Sequence, residues 1–225
     1  MDYISSILPA LLAGTKMTLS IFCLTLVGAI PLGMLLSVGL MHRETAGESA
    51  VKKWFFRILK GLIEAYDWLF RGTPLLLQLI FVFYGLPLIG IVFDRFNAAA
   101  FAFILNYAAY FAEIFRGGFG AVAEGQFEAA TVLNLTRWQT LRFIVIPQVL
   151  KIVLPSMGNE VINLVKDSSL VYVIGLGDLL RAGNIATARD VTLVPLALVG
   201  VIYLLMTLVL TFAQKKIEKS FDYYK

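Results

Sequence analysis

Cysteine and histidine each occur once in the 225 residues, as Cys23 and His42. A disulfide needs two cysteines, and a metal centre of clustered His and Cys ligands needs more donors than this chain has. Charge is also scarce. Asp, Glu, Lys and Arg make up 15% of the chain, against about 25% in ordinary soluble domains. That is too little for the surface of a free cytosolic protein, and a hydrophobic content of 59% excludes disorder. The formal net charge of +4 is scattered between apolar runs and forms no single basic face, so a nucleic-acid binder is set aside. A phosphate loop of the form GxxxxGK[ST] is missing as well. Gly85 to Gly90 is followed by Ile91-Val92, and Gly117-Gly118-Phe119-Gly120 has no lysine after it. The chain is therefore expected neither to hydrolyse ATP nor to hold a cofactor or metal of its own.

What is present is long apolar runs, with a mean hydropathy of +0.82. A membrane-crossing helix needs ~20 apolar residues. On that scale the runs at about 9–41, 73–93, 97–115, 155–174 and 191–213 predict an all-α, polytopic membrane protein, one transmembrane domain over 1–225 with five spans. The first run holds a single charge, Lys16, and exceeds what a bilayer requires, so it should tilt or protrude. Its Gly28, Pro31 and Gly33 offer a kink or a close-packing point. Its length and the lack of a basic start argue against a removed signal peptide. Arg43, Lys52, Lys53, Arg57 and Lys60 lie between spans one and two. Arg116, Arg137, Arg142 and Lys151 lie between spans three and four, and Lys215, Lys216, Lys219 and Lys225 form the tail. The opposite side has Arg95, Arg181 and Arg189. The positive-inside rule thus predicts an outer amino terminus and a cytoplasmic carboxyl terminus.

Lys53, Arg57, Lys60, Glu64, Asp67 and Arg71 recur at steps of four and three, a polar stripe opposite Phe55, Ile58, Leu59, Leu62 and Leu69. Lys60–Glu64 and Asp67–Arg71 are spaced to pair. This reads as an interfacial helix leading into span two, or as a partner-facing polar seam. Arg71-Gly72-Thr73-Pro74 should break it, since Thr73 precedes a proline. Trp54, Tyr66 and Trp68 read as interface anchors; His42 reads as a flanking residue and Cys23 as a small lipid- or helix-facing one. The segment 117–151 is long for a connection. Phe119, Val122, Ala123, Phe127, Ala130 and Leu133 suggest one short helix, and Trp138, Leu141, Ile144 and Val145 a second that Pro147 ends. Asn134, between them, tolerates the left-handed geometry that a tight turn requires.

Glu128-Ala129-Ala130, three residues, Asn134, nine residues, then Ile144-Val145-Ile146-Pro147 resembles the EAA motif of membrane permease subunits of ATP-binding-cassette importers. Arg71-Gly72-Thr73-Pro74-Leu75, Ala112-Glu113-Ile114-Phe115-Arg116-Gly117-Gly118, Gly125-Gln126 and Lys166-Asp167-Ser168-Ser169-Leu170 resemble the polar amino acid branch (histidine, glutamine, arginine) of that family, in the same order. The chain departs from the pattern at Asn134, where the family usually has glycine, at Ile146, usually leucine, and at Ser168, usually threonine. The resemblance implies cytoplasmic coupling helices docked in a groove of an ATPase, with Glu128, Ala129, Ala130 and Asn134 as the docking surface. It also implies a second permease subunit, identical or related, two cytoplasmic ATP-binding subunits that carry ATP and magnesium, an extracytoplasmic solute-binding protein and a bacterial inner-membrane location. Gly175-Leu176-Gly177-Asp178-Leu179-Leu180 resembles the family's outer loop, a candidate gate or delivery contact.

Ionisable groups within a span are costly and are usually turned away from lipid. Glu160, Asn163 and Asp167 fall at i, i+3 and i+7 on one face of span four, with Asn159, Asn163 and Lys166 on an overlapping face and Ser168 next in sequence. Asn163 to Lys166 lie ~12–16 Å along the helix from Pro155, near the middle of the apolar layer. Span three adds Asn106, Tyr107, Tyr110 and Glu113. An amino acid carries both charges at neutral pH. Arg71 and Thr73 at the broken backbone suit its carboxylate, and Glu160 or Asp167 its ammonium or a basic side chain. Mutual satisfaction between helices, such as Lys166–Asp167, is the structural alternative. The expected function is the permease subunit of an ATP-driven amino acid importer. The alternatives are an ion-gradient carrier, for which no internal repeat is evident, and a non-transporting membrane scaffold.

Overall fold

A computed structural model describes residues 2–41, 47 and 49–221, and helices account for nearly all of them. The elements are α1 (Asp2–Met41), α2 (Ala50–Gly72), α3 (Leu75–Ile80), α4 (Arg95–Gly120), α5 (Glu124–Val132), α6 (Arg137–Thr140), α7 (Ile146–Asp167), α8 (Leu179–Asp190) and α9 (Val194–Ser220). No strand occurs among the described residues. Four helical stretches are long and apolar enough to cross a membrane, and the bent pair formed by α2 and the helix beyond it makes a fifth.

α4 is the centre of the bundle. Two-thirds of its most apolar stretch (67%) is buried, against 6% for α9, whose packed side is made mostly of half-buried residues such as Leu198, Ile202 and Met206. The α4 surface is small where other helices cross it: Ala98, Ala99, Ala102, Ala108, Ala109 and Ala112 are all buried. α1 lies along this surface, and its glycines sit at the closest points. A Cβ on Gly33 would come 2.7 Å from Phe111 Cβ and 2.8 Å from the Ala108 carbonyl oxygen, and one on Gly28 would meet Ile104 Cδ1 at 2.7 Å. Lipid tails are as apolar as leucine, so contact between backbones, not hydrophobicity, holds such helices together. The Gly28–Pro31–Gly33 region is thus a packing point, and the helix runs through Pro9 and Pro31 unbroken. The main core gathers Phe103, Phe111, Leu79, Leu164 and Val165 around α4, while Ile7, Leu11, Leu179, Ala186 and Val199 form a second cluster joining α1, α8 and α9.

Three predicted boundaries change. The second span is shorter than 73–93: helix runs from Leu75 through a π-helical turn (Phe81–Gly85) and a 3-10 turn (Leu86–Ile89), then stops at Gly90 with φ +86°. Pro87 lies in the first turn of that 3-10 segment, where a missing N–H costs nothing. Pro147 does not end a helix. α6 passes through a π-helical turn (Leu141–Val145) directly into α7, and Pro147 falls immediately after that wider turn. One helix therefore continues from Arg137 to Asp167 and on through a 3-10 turn to Ile174, beginning well before the expected 155. Its start is a capping box, with Thr136 Oγ1 and the Gln139 side chain exchanging bonds with each other's backbone N–H. The predicted helix at 119–133 is confined to α5, because Phe119 belongs to the end of α4. Spans one, three and five are helices 2–41, 95–120 and 194–220, each longer than its apolar run.

The segment 175–180 leads into α8, a helix that the apolar runs of the sequence do not predict. Buried Asp178 caps it by accepting from the Leu180 and Arg181 N–H groups at 3.0 and 3.1 Å. Thr18 Oγ1 of α1 accepts from the Leu179 N–H at 3.2 Å. Arg95 Nε donates to the Ile174 carbonyl at 3.0 Å, and Gly175 follows with φ +78°. Asn134 does adopt left-handed geometry (φ 52°), and the Leu135 and Asn134 N–H groups close the end of α5 on Ala130 and Thr131 carbonyls. His42 and Arg43 lie outside the described residues.

The α1–α4 contact makes a signed prediction. Gly33→Ala should lower the thermal midpoint of the detergent-purified protein, with a cost of about 1–3 kcal/mol for overpacking against backbone atoms. Gly61→Ala, where nothing lies within 4 Å of the added carbon, should leave the midpoint unchanged or raise it through helix propensity.

Candidate functional site: a polar cavity at a broken helix

α2 ends because Thr73 is extended (φ −121°, ψ 147°) and Pro74 follows. The chain then turns by 104° into the segment 75–89. A break of this kind strands the last carbonyls of α2, and lipid offers them no partner. Side chains supply the missing donors. Thr73 Oγ1 donates to the Leu69 carbonyl at 2.8 Å. Gln78 Nε2 reaches back to the Phe70 carbonyl (2.9 Å), the Thr73 carbonyl (3.1 Å) and Thr73 Oγ1 (2.8 Å). Asn106 Nδ2, from buried α4, donates to the Phe70 carbonyl and to Gln78 Oε1, both at 3.0 Å.

Beside this break lies an open cavity of about 620 Å³. It is walled by residues 71–76, by Asn106, Tyr107 and Tyr110 of α4, by Glu160, Asn163 and Asp167 of α7, and by Leu170. The i, i+3, i+7 row on α7 therefore does face one polar space together with Arg71 and Thr73. Tyr107 donates its hydroxyl to Asp167 Oδ2 at 2.7 Å, fixing that carboxylate. Arg71 donates to Asp67 Oδ2 at 2.8 Å, lies 3.9 Å from Glu113 Oε2 and sits over the Tyr110 ring at 5.8 Å. Glu113 is also held by Arg116, whose Nε donates to it at 2.7 Å. The predicted Lys60–Glu64 pair is present at 3.8 Å. Asp67, Arg71, Glu113 and Arg116 continue the polar lining into an adjoining cleft of about 550 Å³.

Two predicted residues are not in this cavity. Lys166 projects about 120° around α7 from Glu160 at 3.6 residues per turn and is exposed. It makes no salt bridge with Asp167, which is engaged by Tyr107 instead. Ser168 is fully buried and donates to the Val165 carbonyl at 2.7 Å, the ordinary bond of a helix-end hydroxyl. Asn106 lines the cavity, but both its amide hydrogens serve the break. The residue missed by the sequence reading is Gln78. Its signal was a lone amide in an apolar run, one helical turn past Pro74.

A second feature sits at one end of the molecule. α5 and the start of α6 expose Phe127 (44%), Val132 (86%), Leu133 (70%) and Trp138 (64%) around exposed Glu128, Ala129 and Asn134. Apolar groups this accessible beside a left-handed turn form a surface suited to a protein groove. Ala130 does not belong to it: it is 2% exposed.

The break network is testable by itself. Asn106→Ala should leave Gln78 Oε1 without its donor and the Phe70 carbonyl with Gln78 Nε2 alone, costing about 1–3 kcal/mol of stability in a thermal or denaturant melt. Tyr107→Phe, which leaves the break intact, should cost less.

The transport-protein family described as binding-protein-dependent transport system inner membrane component matches residues 45–223. The arginine transport system permease protein ArtQ of Bacillus subtilis (strain 168) is 38% identical over 215 residues, covering 95% of this chain and 93% of its own length. The glutamine transport system permease protein GlnP of Escherichia coli (strain K12) is 34% identical over 215 residues, with 94% and 93% covered. Among solved structures, an amino acid ABC transporter with histidines superposes with TM-score 0.84 at 32% identity, covering 97% of each chain. The methionine ABC transporter MetNI, inward facing, gives TM-score 0.70 at 19% identity over 98% of this chain and 99% of its own, a likeness of fold alone. The chain therefore belongs to the family of binding-protein-dependent transport system inner membrane components.

Proposed function

We propose that this chain forms the translocation path of an amino acid importer and takes its driving force from ATP-hydrolysing partners. The observation that carries the reading is one continuous helix, α6–α7, which starts at the exposed apolar end (Arg137) and carries Glu160, Asn163 and Asp167 into the cavity. A displacement at its first turn is delivered to the cavity wall without an intervening loop. The partners are two cytoplasmic ATP-binding subunits, which hold ATP and magnesium, a second permease subunit that completes the path, and an extracytoplasmic solute-binding protein. The membrane is the bacterial inner membrane, with the α5 end in the cytoplasm and the amino terminus outside, as the lysine and arginine distribution favours.

The cavity chemistry favours a cationic amino acid. Arg71, beside the Thr73–Pro74 break, presents its guanidinium donors to a carboxylate while also being shared with Asp67 and Glu113. Glu160 and Asp167 stand on the facing wall as two acidic groups, enough for an α-ammonium and a second positive charge. Closure of the ATPases on ATP would move α5 and α6, swing α7 and shift the cavity between outward- and inward-open forms, each stabilised by its own ligands.

Two measurements test this. In proteoliposomes holding the permease with its ATPases and binding protein, Glu160→Gln should weaken arginine uptake by about ten- to a hundredfold in half-saturating concentration, the cost of one charged hydrogen bond. Expression should be unchanged; ordinary arginine kinetics in that variant would reject the acidic wall as the substrate contact. Glu128→Lys should leave membrane insertion intact while cutting ATP-dependent uptake at least about tenfold through a mismatched charge at the docking surface. Uptake that follows an ion gradient and ignores ATP would overturn the reading as a whole.

A further inference from the structure

α7 and α9 meet at the end of the molecule that carries α5. Gln214 Nε2 donates to the Pro155 carbonyl at 3.3 Å and to Glu218 Oε1 at 2.8 Å. A Cβ on Gly158 would stand 2.2 Å from the Gln214 side chain, so the two helices are in intimate contact there. Beyond this lock they part around a cleft of about 380 Å³, walled by Lys151 and Leu154 of α7 and by Lys215, Glu218, Lys219 and Phe221 at the end of α9. Three lysines from two helices line it, and the Glu218 carboxylate accepts from Gln214.

The cleft has an apolar extension. Leu204, Leu208, Phe212, Lys215 and Lys219 follow one another at steps of four, four, three and four, so they share one face of α9. Leu204, Leu208 and Phe212 are 70%, 50% and 64% exposed. The same face thus reads apolar through the bilayer and basic at its end, the pattern of a molecule with a hydrocarbon tail and an anionic head.

We propose that this cleft binds an anionic phospholipid of the phosphatidylglycerol type. Its phosphate lies among Lys151, Lys215 and Lys219, and its acyl chains lie along the Leu204–Leu208–Phe212 stripe. Basic pockets between membrane helices are suited to such headgroups. A choline head would set its own cation against three lysines, so zwitterionic lipid is disfavoured. The site is separate from the substrate cavity and uses none of its residues.

The full-length chain, purified in an uncharged detergent, would be titrated with dioctanoyl-phosphatidylglycerol and followed by native mass spectrometry and calorimetry. One lipid per chain should bind saturably. Affinity should fall about fivefold for each lysine removed, and about a hundredfold for K151Q/K215Q/K219Q. The triple arginine variant K151R/K215R/K219R should retain binding, which separates lost charge from a lost fold. Four results would overturn the proposal. These are equal binding of dioctanoyl-phosphatidylcholine, inorganic phosphate binding as tightly as the lipid, an equal loss in the control variant K52Q/K53Q/R57Q, and a K151Q/K215Q/K219Q variant that loses its ATPase partners but keeps its lipid affinity.

Discussion

The constraint on which the structure turns is that a main-chain carbonyl inside a bilayer must find a donor within the protein. α2 stops at Gly72 and the chain leaves at 104°, so the Leu69 and Phe70 carbonyls lose their helical partners in apolar surroundings. Thr73, Gln78 and Asn106 replace them with five side-chain hydrogen bonds among themselves and to that backbone, beyond the one between Gln78 and Thr73 hydroxyl. Because the donors come from α3 and α4, the bend also fixes where α3 lies on α4. The polar cavity exists because the bend does. Without it, Arg71 and the α7 carboxylates would have no common space.

Close approach makes this arrangement possible. Asn106 can reach Phe70 because α4 is thin, with alanines on the faces where α1 packs and glycines of α1 opposite them. A bulkier α1–α4 contact would push α4 outward and pull Asn106 from the break. Stability and site geometry therefore share one cause, and the residues that carry it bear no charge or reactive group.

Much of this was legible in the chain and some was not, for identifiable reasons. The five apolar runs, the α2 stripe with its Asp67–Arg71 and Lys60–Glu64 pairs, the break at Thr73-Pro74 and the left-handed Asn134 all follow from local rules of period, spacing and φ. Gln78 was passed over because its partners lie on other turns and on another helix, 28 residues away in the case of Asn106. Tyr107–Asp167 spans 60 residues and could be placed in the path but not paired. Pro147 looked like a stop because the π turn before it has no local signature. α8 has neither the length nor the apolarity of a span, and its signal was the single capping Asp178. Lys166 shares a helical face with Asn159 and Asn163 that overlaps the cavity face only in part, and Ser168 is merely next in sequence, so helical angle separates both from the cavity.

The π turn at Leu141–Val145 has a mechanical consequence. A π-helical turn inserts one residue into an otherwise regular rod, and each added residue rotates everything beyond it by about 100°. The first turn of α6 and the acidic row of α7 are thus held in phase across a rod whose two ends answer to different chemistry. Chain length between them is quantised. Omitting that single extra residue would leave an intact, equally apolar rod with its carboxylates aimed away from the broken helix, so the gearing between the two ends is written as a count of residues more than as any one side chain.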